Sequence, residues 1–352
     1  PTRNQNNGVQ AALRVAYLDA FSFSERTTVS FLAKAMGFMF MCAHRLYTTA
    51  AHGKTACLNP ARKGGTGYGR CMRNSLPSRP ALSASRTKEY QRCPLQFRLH
   101  VVDRVKEPPT QATLLGTTVH STLENLYALP REERNETLAI ELLRTEWEKT
   151  LAADPDVMNL FSDHTDFERW RERMHSMISN YFAIEDPQAL EPLSTEALVE
   201  ATTSQGVNLL GYIDRVDQAA NGDLRVIDYK TGKAPSPRFQ EEALFQMRFY
   251  ALLLSLTKRL PRRTQLVYLA SQKVLTFDPD SADISRFSEE LSRTWESMRR
   301  DALQGYFAPR RNPLCNWCGV RSMCPLFDGT TPEIPTSGLE RLLAMGPRQS
   351  DQ

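Results

Sequence analysis

The sequence lacks a long hydrophobic run. No stretch approaches the roughly 18 consecutive apolar residues that a transmembrane helix requires, and the nearest candidate, residues 31–42, is short and carries Lys34. The chain also lacks the Gly-x4-Gly-Lys-Ser/Thr loop that cradles nucleotide phosphates. We therefore expect no membrane partner, and we do not expect the chain itself to be a helicase or an ATPase.

Acidic residues are scarce near the start of the chain. Residues 1–80 hold 11 Lys and Arg but only Asp19 and Glu25, although the net charge of all 352 residues is only +4. An Arg-rich, acid-poor segment is typical of a transit peptide. The alternatives are a disordered tail or an extension translated from a start upstream of the true one, which would then be Met72. We expect little function in residues 1–80, a folded domain over 81–328 and a flexible tail over 329–352.

The seven cysteines do not form the even set expected of a disulfide framework. Without a convincing signal peptide, this number indicates a reducing, cytoplasmic compartment. The spacing Cys315-x2-Cys318-x5-Cys324 indicates a metal site that needs a fourth thiolate, and Cys93 is the one remaining cysteine in the predicted domain. Both zinc and an iron–sulfur cluster suit four cysteines. The other three cysteines, in residues 1–80, follow no ligand pattern.

The order of predicted elements indicates a mixed α/β domain. Ser83 is a good helix N-cap, and the helix after it is expected to carry Tyr90, Cys93 and Phe97. A second helix is expected to open at Gly116, and further amphipathic helices follow to residue 186. Strand-like segments then cover 196–202, 207–216 and 224–229, followed by a helix over 239–256, strands at 265–269 and 273–277, and a helix over 284–304. This order predicts a small sheet flanked by helices.

Two acidic residues and a lysine on adjacent predicted strands suggest phosphodiester chemistry. Asp228 and Lys230 are two apart, so both side chains point to one face, while Tyr229 points to the other. A carboxylate for a hard cation and an ammonium for phosphate charge suit hydrolysis. Asp214 joins them only if the turn at 220–222 is a three-residue loop with Gly222 in the left-handed region, or if the hairpin contains a bulge, because a plain two-residue turn reverses its face.

Two helical pairs are candidate additions to this set. His120 and Glu124 lie four apart on one predicted helix, and Gln246 and Tyr250 lie four apart on another, so each pair projects together. A lone histidine on a partly apolar helix is more often structural than a ligand, and Gln246 with Tyr250 alone would indicate only an ordinary amphipathic face.

Four motifs in order carry a family resemblance. Gly116-Thr-Thr-Val-His120, Gly211-Tyr-Ile-Asp214, Val226-Ile-Asp-Tyr-Lys230-Thr-Gly-Lys233 and Gln246-Met-Arg-Phe-Tyr250 resemble the RecB-type branch of the PD-(D/E)XK nucleases. That branch includes AddB-like nuclease domains and CRISPR-associated exonucleases. The resemblance covers about residues 82–328 and implies a restriction-endonuclease-like core. The third motif is Asp-x-Lys rather than Glu-x-Lys, a variant that the superfamily allows.

The resemblance also implies roles for individual residues. His120, Asp214, Asp228 and the backbone carbonyl of Tyr229 would bind Mg²⁺ or Mn²⁺, and Lys230 would activate the attacking water. Gln246, Tyr250 and Glu124 would support this site. The segment Tyr-Gln-Arg-Cys93-Pro resembles the lone N-terminal cysteine of iron–sulfur members, which implies a 4Fe–4S cluster on Cys93, Cys315, Cys318 and Cys324. That cluster would join the N- and C-terminal segments of the domain; zinc remains the alternative.

These features favour a metal-dependent exonuclease that acts on DNA ends, preferably single-stranded, in repair or recombination. The alternative is a non-catalytic iron–sulfur subunit that binds DNA for a helicase partner. The presence together of His120, Asp214, Asp228 and Lys230 argues against an inactive relic. A nuclease acting on RNA stays open, because metal-assisted cleavage does not by itself read the 2′-hydroxyl.

Overall fold

The computed structural model describes residues 77–347. The expectations for the first 76 residues and for the last five therefore lie outside the described residues. The principal helices, in chain order, are α1 (Ala84–Arg92), α2 (Pro94–Phe97), α3 (Gln111–Ala128), α4 (Glu136–Ala153), α5 (His164–Ile184), α6 (Glu241–Thr257), α7 (Ser281–Gln304) and α8 (Thr336–Leu343). The strands are β1 (Pro192–Thr202), β2 (Asn208–Gln218), β3 (Leu224–Lys230), β4 (Arg263–Tyr268) and β5 (Lys273–Phe277). Over this range, no helix is long and apolar enough to cross a bilayer.

The five strands form one mixed sheet in the order β1-β2-β3-β4-β5. β1, β2 and β3 are joined antiparallel by tight hairpins. α6 provides the crossover to β4, which runs parallel to β3, and β5 returns antiparallel at the edge. Tyr127 of α3 and Tyr181 of α5 contact the Tyr229 side of β3, while Gln246 and Tyr250 of α6 contact Asp228. The sheet is therefore flanked by helices on both faces, as the sequence predicted.

The β2–β3 hairpin confirms the predicted loop length. The last paired residues are Gln218 and Leu224, and Ala219 N donates to Asp223 O at 2.9 Å. This leaves a three-residue loop over 220–222. Gly222 has a φ of +84°, a left-handed conformation that a residue without Cβ adopts at little cost. Because Arg215 pairs with Ile227, the next step along both strands sets Asp214 opposite Asp228.

Two helix boundaries differ from the sequence-based prediction. α1 ends at Cys93, whose extended backbone (φ −155°) separates it from α2, and Pro94 then occupies the first turn of α2. Proline suits that position because it has no amide hydrogen to pair. α3 begins not at Gly116 but at Gln111, because Thr110 and Thr113 form a reciprocal capping box.

The predicted flexible tail contains an ordered helix. α8 buries Leu342, and Met345 follows it into the main core beside Trp295 and Met298 of α7. Asn208 N, at the start of β2, donates to Met345 O at 2.7 Å. Residues 336–343 of the segment that was expected to be a flexible tail are therefore helical. The helical spacing of Leu339, Leu342 and Leu343 contained that signal, since all three contact the core.

Candidate active site

Asp228 lies at the centre of a hydrogen-bonded cluster on β3. Its Oδ1 accepts hydrogen bonds from Gln246 Nε2 at 2.9 Å and from the Tyr250 hydroxyl at 3.0 Å. Its Oδ2 lies 2.6 Å from Lys230 Nζ and has no other described partner. Burial and the charge of Asp214 raise the pKa of Asp228, and Lys230 opposes that shift. Gln246 and Tyr250, the pair that the sequence predicted on one helical face, thus fix the Asp228 carboxylate directly.

Asp214, on β2, contacts residues of both β3 and α3. Its Oδ2 accepts a hydrogen bond from Tyr229 N at 2.7 Å, which fixes the carboxylate against the backbone of β3. The same oxygen lies 3.3 Å from His120 Nδ1 of α3. Burial opposes protonation of His120, but the hydrogen bond and charge of Asp214, with smaller contributions from Asp228 and Glu196, raise its pKa to about 9. Without a cation, the histidine therefore acts as a counter-ion to the carboxylates.

Glu196 is a member of this cluster that the sequence analysis missed. It lies on β1 between the pairs Thr195–Arg215 and Ala197–Ile213, which puts it opposite Asp214. Ligand atoms of His120, Glu196 and Asp214 all lie within 4.8 Å of one another, the one such group of three that residues 77–347 contain. Burial and Asp214 raise the pKa of Glu196 to about 7, with Glu124 and Asp228 adding and His120 opposing.

Glu124 lies one helical turn beyond His120 on α3 and is half-buried. Its charge contributes to the raised pKa of Glu196, so it lies at the edge of the same acidic cluster. The structure brings together every predicted member of the set. With Glu196, four carboxylates then converge on one end of the sheet, where Lys230 and a protonated His120 are the cations that oppose them.

The four predicted cluster cysteines also converge. Cys93 is buried with Leu95, Leu99 and Val320, against which Cys318 and Cys324 pack. Backbone amides donate to two of the sulfurs, Arg310 N to Cys93 Sγ at 3.4 Å and Asn312 N to Cys315 Sγ at 3.3 Å. Burial, then the proximity of Cys93 and Cys315, raises the pKa of Cys318. All four are free thiols.

The chain belongs to the PD-(D/E)XK nuclease superfamily, whose family model matches residues 81–325. That match contains the sheet, the carboxylate cluster and all four clustered cysteines. Members of this superfamily are nucleases that use divalent metal ions and act on DNA.

Individual relatives are distant. The Gene 69 proteins of Mycobacterium phages L5 and D29 are each 25% identical to this chain, over 296 and 279 residues, and each match covers 70% of this chain and 97% of the relative. A crystal structure of a candidate exonuclease from Eubacterium rectale is 14% identical, covers 68% of this chain and 87% of that one, and has a TM-score of 0.41. The superfamily match alone carries the assignment.

Proposed function

We propose that this protein is a metal-dependent DNA exonuclease of the RecB-type branch that processes DNA ends in repair or recombination. One observation carries the proposal: Asp214 and Asp228 occupy opposite positions on adjacent strands, and Lys230 Nζ lies 2.6 Å from the Asp228 carboxylate. The motif order around them supports the RecB-type branch.

The donor set fits a hard divalent cation. Carboxylate oxygens and an imidazole suit Mg²⁺ or Mn²⁺, and among the described residues the buried Asp228 Oδ2 is contacted by Lys230 alone. His120, Asp214, Asp228 and the Tyr229 carbonyl would hold the ion. When bound, such an ion lowers the pKa of a water and neutralises charge that develops on the phosphate.

The chain's own groups complete the chemistry. Lys230 would donate hydrogen bonds to the attacking water and to a non-bridging phosphate oxygen. Gln246 and Tyr250 hold the Asp228 carboxylate in one orientation through 2.9 and 3.0 Å hydrogen bonds. Burial and the charge of Asp228 raise the pKa of Tyr250, so its hydroxyl stays a donor throughout the reaction.

Digestion of end-labelled linear DNA and of covalently closed circular single strands tests the activity. We expect Asp228→Asn and Lys230→Met to lower the cleavage rate at least about hundredfold, while Asp278→Asn, which removes an exposed carboxylate paired with Arg263, changes it little. An exonuclease releases label only from linear DNA. Equal cleavage rates in wild type and Asp228→Asn would exclude this cluster as the active site. Tight DNA binding without cleavage by wild type would favour the helicase-partner alternative.

A groove beside the site supports single-stranded DNA as the substrate. A cavity of about 470 Å³ is lined by Lys230, Arg86 and Lys88, and a second cavity of about 380 Å³ continues from Lys88 to Arg238 and Phe239. Lys88 and Arg238 form no ion pair with any described residue, and the Phe239 ring is 73% exposed. Glu241 and Glu242 also line the second cavity. Cations that track a backbone and an exposed ring that stacks on a base are features of single-strand sites.

Fluorescence anisotropy with the non-cutting Asp228→Asn protein tests this path. In that background, Phe239→Ala should weaken binding of a single strand by roughly 1–3 kcal/mol of stacking energy and Phe239→Trp should restore it. Duplex affinity should change less. Tyr306→Ala, which removes a 63% exposed ring outside both cavities, is the matched control. Equal single-strand affinity in the Phe239→Ala and Phe239→Trp proteins would exclude Phe239 as a residue that stacks on the DNA strand.

We propose that the four cysteines hold a 4Fe–4S cluster rather than zinc. Zinc with four thiolates at about 2.3 Å would bring neighbouring sulfurs to about 3.8 Å. Within the described chain, however, no three of these sulfurs lie within 4.8 Å of one another, which suits a larger group. The amide hydrogen bonds to Cys93 and Cys315 are of the kind that tune cluster sulfurs.

Metal analysis of protein purified without oxygen distinguishes the two. We expect about four irons per chain and visible absorbance, both lost in Cys315→Ser. Stoichiometric zinc without iron in the wild-type protein would overturn the cluster assignment. The adjacent Cys318→Ser variant should lose the same absorbance, because each ligand is needed.

A further inference from the structure

Three carboxylates form a row across three strands. Glu196 on β1 lies opposite Asp214 on β2, which lies opposite Asp228 on β3. Residues directly opposite one another in a sheet share a face, with Cβ atoms about 4.5–5.5 Å apart. Two like charges at such positions destabilise a sheet, and a row of three compounds that cost. The row is therefore expected where a ligand compensates the charge.

The backbone at Glu196 is strained. Its φ of +45° puts a non-glycine residue in the left-handed region, inside a strand whose neighbours pair regularly. Such a conformation is unfavourable for a residue with a Cβ and persists where the surrounding structure requires it. Its half-buried carboxylate lies within 4.8 Å of ligand atoms of both His120 and Asp214, and no hydrogen bond to it is found among the described residues. The strain directs this carboxylate towards His120 and Asp214.

The grouping of ligand atoms differs from the one that the motifs imply. His120, Asp214 and Glu196 fall within 4.8 Å of one another. Asp228 is not part of that group, since Gln246 and Tyr250 bind its Oδ1 and Lys230 its Oδ2. Glu196 is therefore a candidate side-chain ligand in addition to Asp228.

We propose that Glu196 is a direct ligand of the divalent cation, held together with His120 and Asp214. This inference rests on the proposed function, since it concerns the cation of the same site. It adds a ligand from β1, a strand that none of the four motifs includes. Asp214 then lies between two carboxylates, Glu196 on β1 and Asp228 on β3.

Mn²⁺ binding, measured by calorimetry and by electron paramagnetic resonance without DNA, tests the proposal. We expect Glu196→Gln to weaken Mn²⁺ binding by about tenfold or more, a typical effect of disturbing a metal site. Glu200→Gln, which removes the same charge four residues along β1, is the matched control and should leave the affinity within about threefold of wild type. Unchanged Mn²⁺ affinity in Glu196→Gln would overturn the proposal.

Glu196→Gly separates ligation from folding. Glycine adopts the left-handed region at little cost, so this variant should unfold at an equal or higher temperature than wild type without metal, yet bind Mn²⁺ as weakly as Glu196→Gln. Wild-type affinity in Glu196→Gly would also overturn the proposal. If the wild-type protein binds no divalent cation, the proposed function itself fails. If the wild-type protein binds Mn²⁺ and cleaves DNA, and both Glu196 variants bind and cleave equally well, only the proposed role of Glu196 fails.

Discussion

Arg215 follows Asp214 in the sequence but points to the opposite face of β2. Its guanidinium is fully buried and contacts Glu185, Asp217 and the hydroxyls of Tyr127 and Tyr229. Tyr229, in turn, lies between Asp228 and Lys230 in the chain. A charged network therefore connects β2 and β3 on the face opposite Asp214 and Asp228, and it fixes the relative position of the two strands.

Removing the Arg215 guanidinium should destabilise the fold strongly. Arg215→Met leaves Glu185 and Asp217, whose side chains are only 11% and 13% exposed, without their principal cation, an arrangement that costs about 3–5 kcal/mol when the pair is buried. Urea unfolding measures this free energy. Arg225→Met is the control, because Arg225 contacts the same two carboxylates but is 34% exposed, and an exposed pair is worth about 1 kcal/mol or less. Equal losses in the two variants would contradict the prediction.

His100 makes stability depend on pH. Its Nδ1 lies 2.6 Å from Glu89 and its Nε2 lies 3.1 Å from Glu107. The hydrogen bond to Glu89 raises the pKa of His100, burial opposes this, and the charges of Glu89 and Glu107 add to it. A group whose folded-state pKa is raised stabilises the fold fully below its unfolded value of about 6.5, and this contribution is lost as pH rises through the folded value.

We therefore expect wild type to lose stability relative to His100→Gln as pH rises above about 6.5. Urea unfolding of both proteins across this range measures the difference. His164→Gln, at a half-exposed histidine, should instead follow the wild-type curve. A constant difference between wild type and His100→Gln at all pH values would show that His100 carries no such linkage.

Among single residues, Glu196 shows why part of the site was not predicted. Asp214 was found because Gly222 indicated the loop length of the β2–β3 hairpin. The same signal existed for β1, since Gly206 (φ +82°) closes a loop over 204–206 with the same two backbone hydrogen bonds. This loop length, used in the same way, would have predicted that Glu196 lies opposite Asp214. The left-handed backbone at Glu196 had no sequence signal, because propensity disfavours it there.

At the scale of elements, the number of residues in the β2–β3 loop decides whether Asp214 and Asp228 lie on the same face of the sheet. Strand periodicity and the turn glycine were enough to predict the faces of Asp214, Asp228 and Tyr229, because side chains alternate strictly along a strand. The start of α3 was not found, although Thr110 and Thr113 carry its capping box. The interruption at Cys93 was also missed, because Tyr90 and Phe97 keep helical spacing and still pack edge to face at 5.4 Å.

Shortening β2 by one residue beside the β2–β3 loop should abolish cleavage. Deletion of Ala219 with the three-residue loop over 220–222 kept moves Gln218 opposite Asp223, which sets Ile213 rather than Asp214 opposite Asp228. We expect the cleavage rate to fall at least about hundredfold and the melting temperature to decrease, with secondary structure retained by circular dichroism. Ala220→Ser keeps the loop length and should retain activity. A fully active deletion variant would contradict the need for this register.

For the whole molecule, both ends of the described chain meet at the start of β2. Leu82 N donates to Asn208 O at 2.9 Å, and Leu210 N donates to Leu82 O at 2.8 Å. From the other end, Asn208 N donates to Met345 O, while Arg341 Nη2 donates to Val102 O at 3.1 Å. The domain is thus closed by backbone hydrogen bonds at β2 as well as by the proposed cysteine cluster, which would join Cys93 to the C-terminal segment.

This closure gives α8 a larger role in stability than a terminal segment would normally have. Leu342 is 1% exposed in the main core, so Leu342→Ala should cost about 2–5 kcal/mol of unfolding free energy. Leu303→Ala is the control, because Leu303 on α7 is 55% exposed and its loss should cost about 0.5 kcal/mol or less. Urea unfolding measures both. In addition, hydrogen exchange at the Asn208 amide should accelerate in Leu342→Ala, because its acceptor, Met345 O, follows directly after α8. Protection as strong as in wild type, with little loss of stability, would mean that the domain closes without α8.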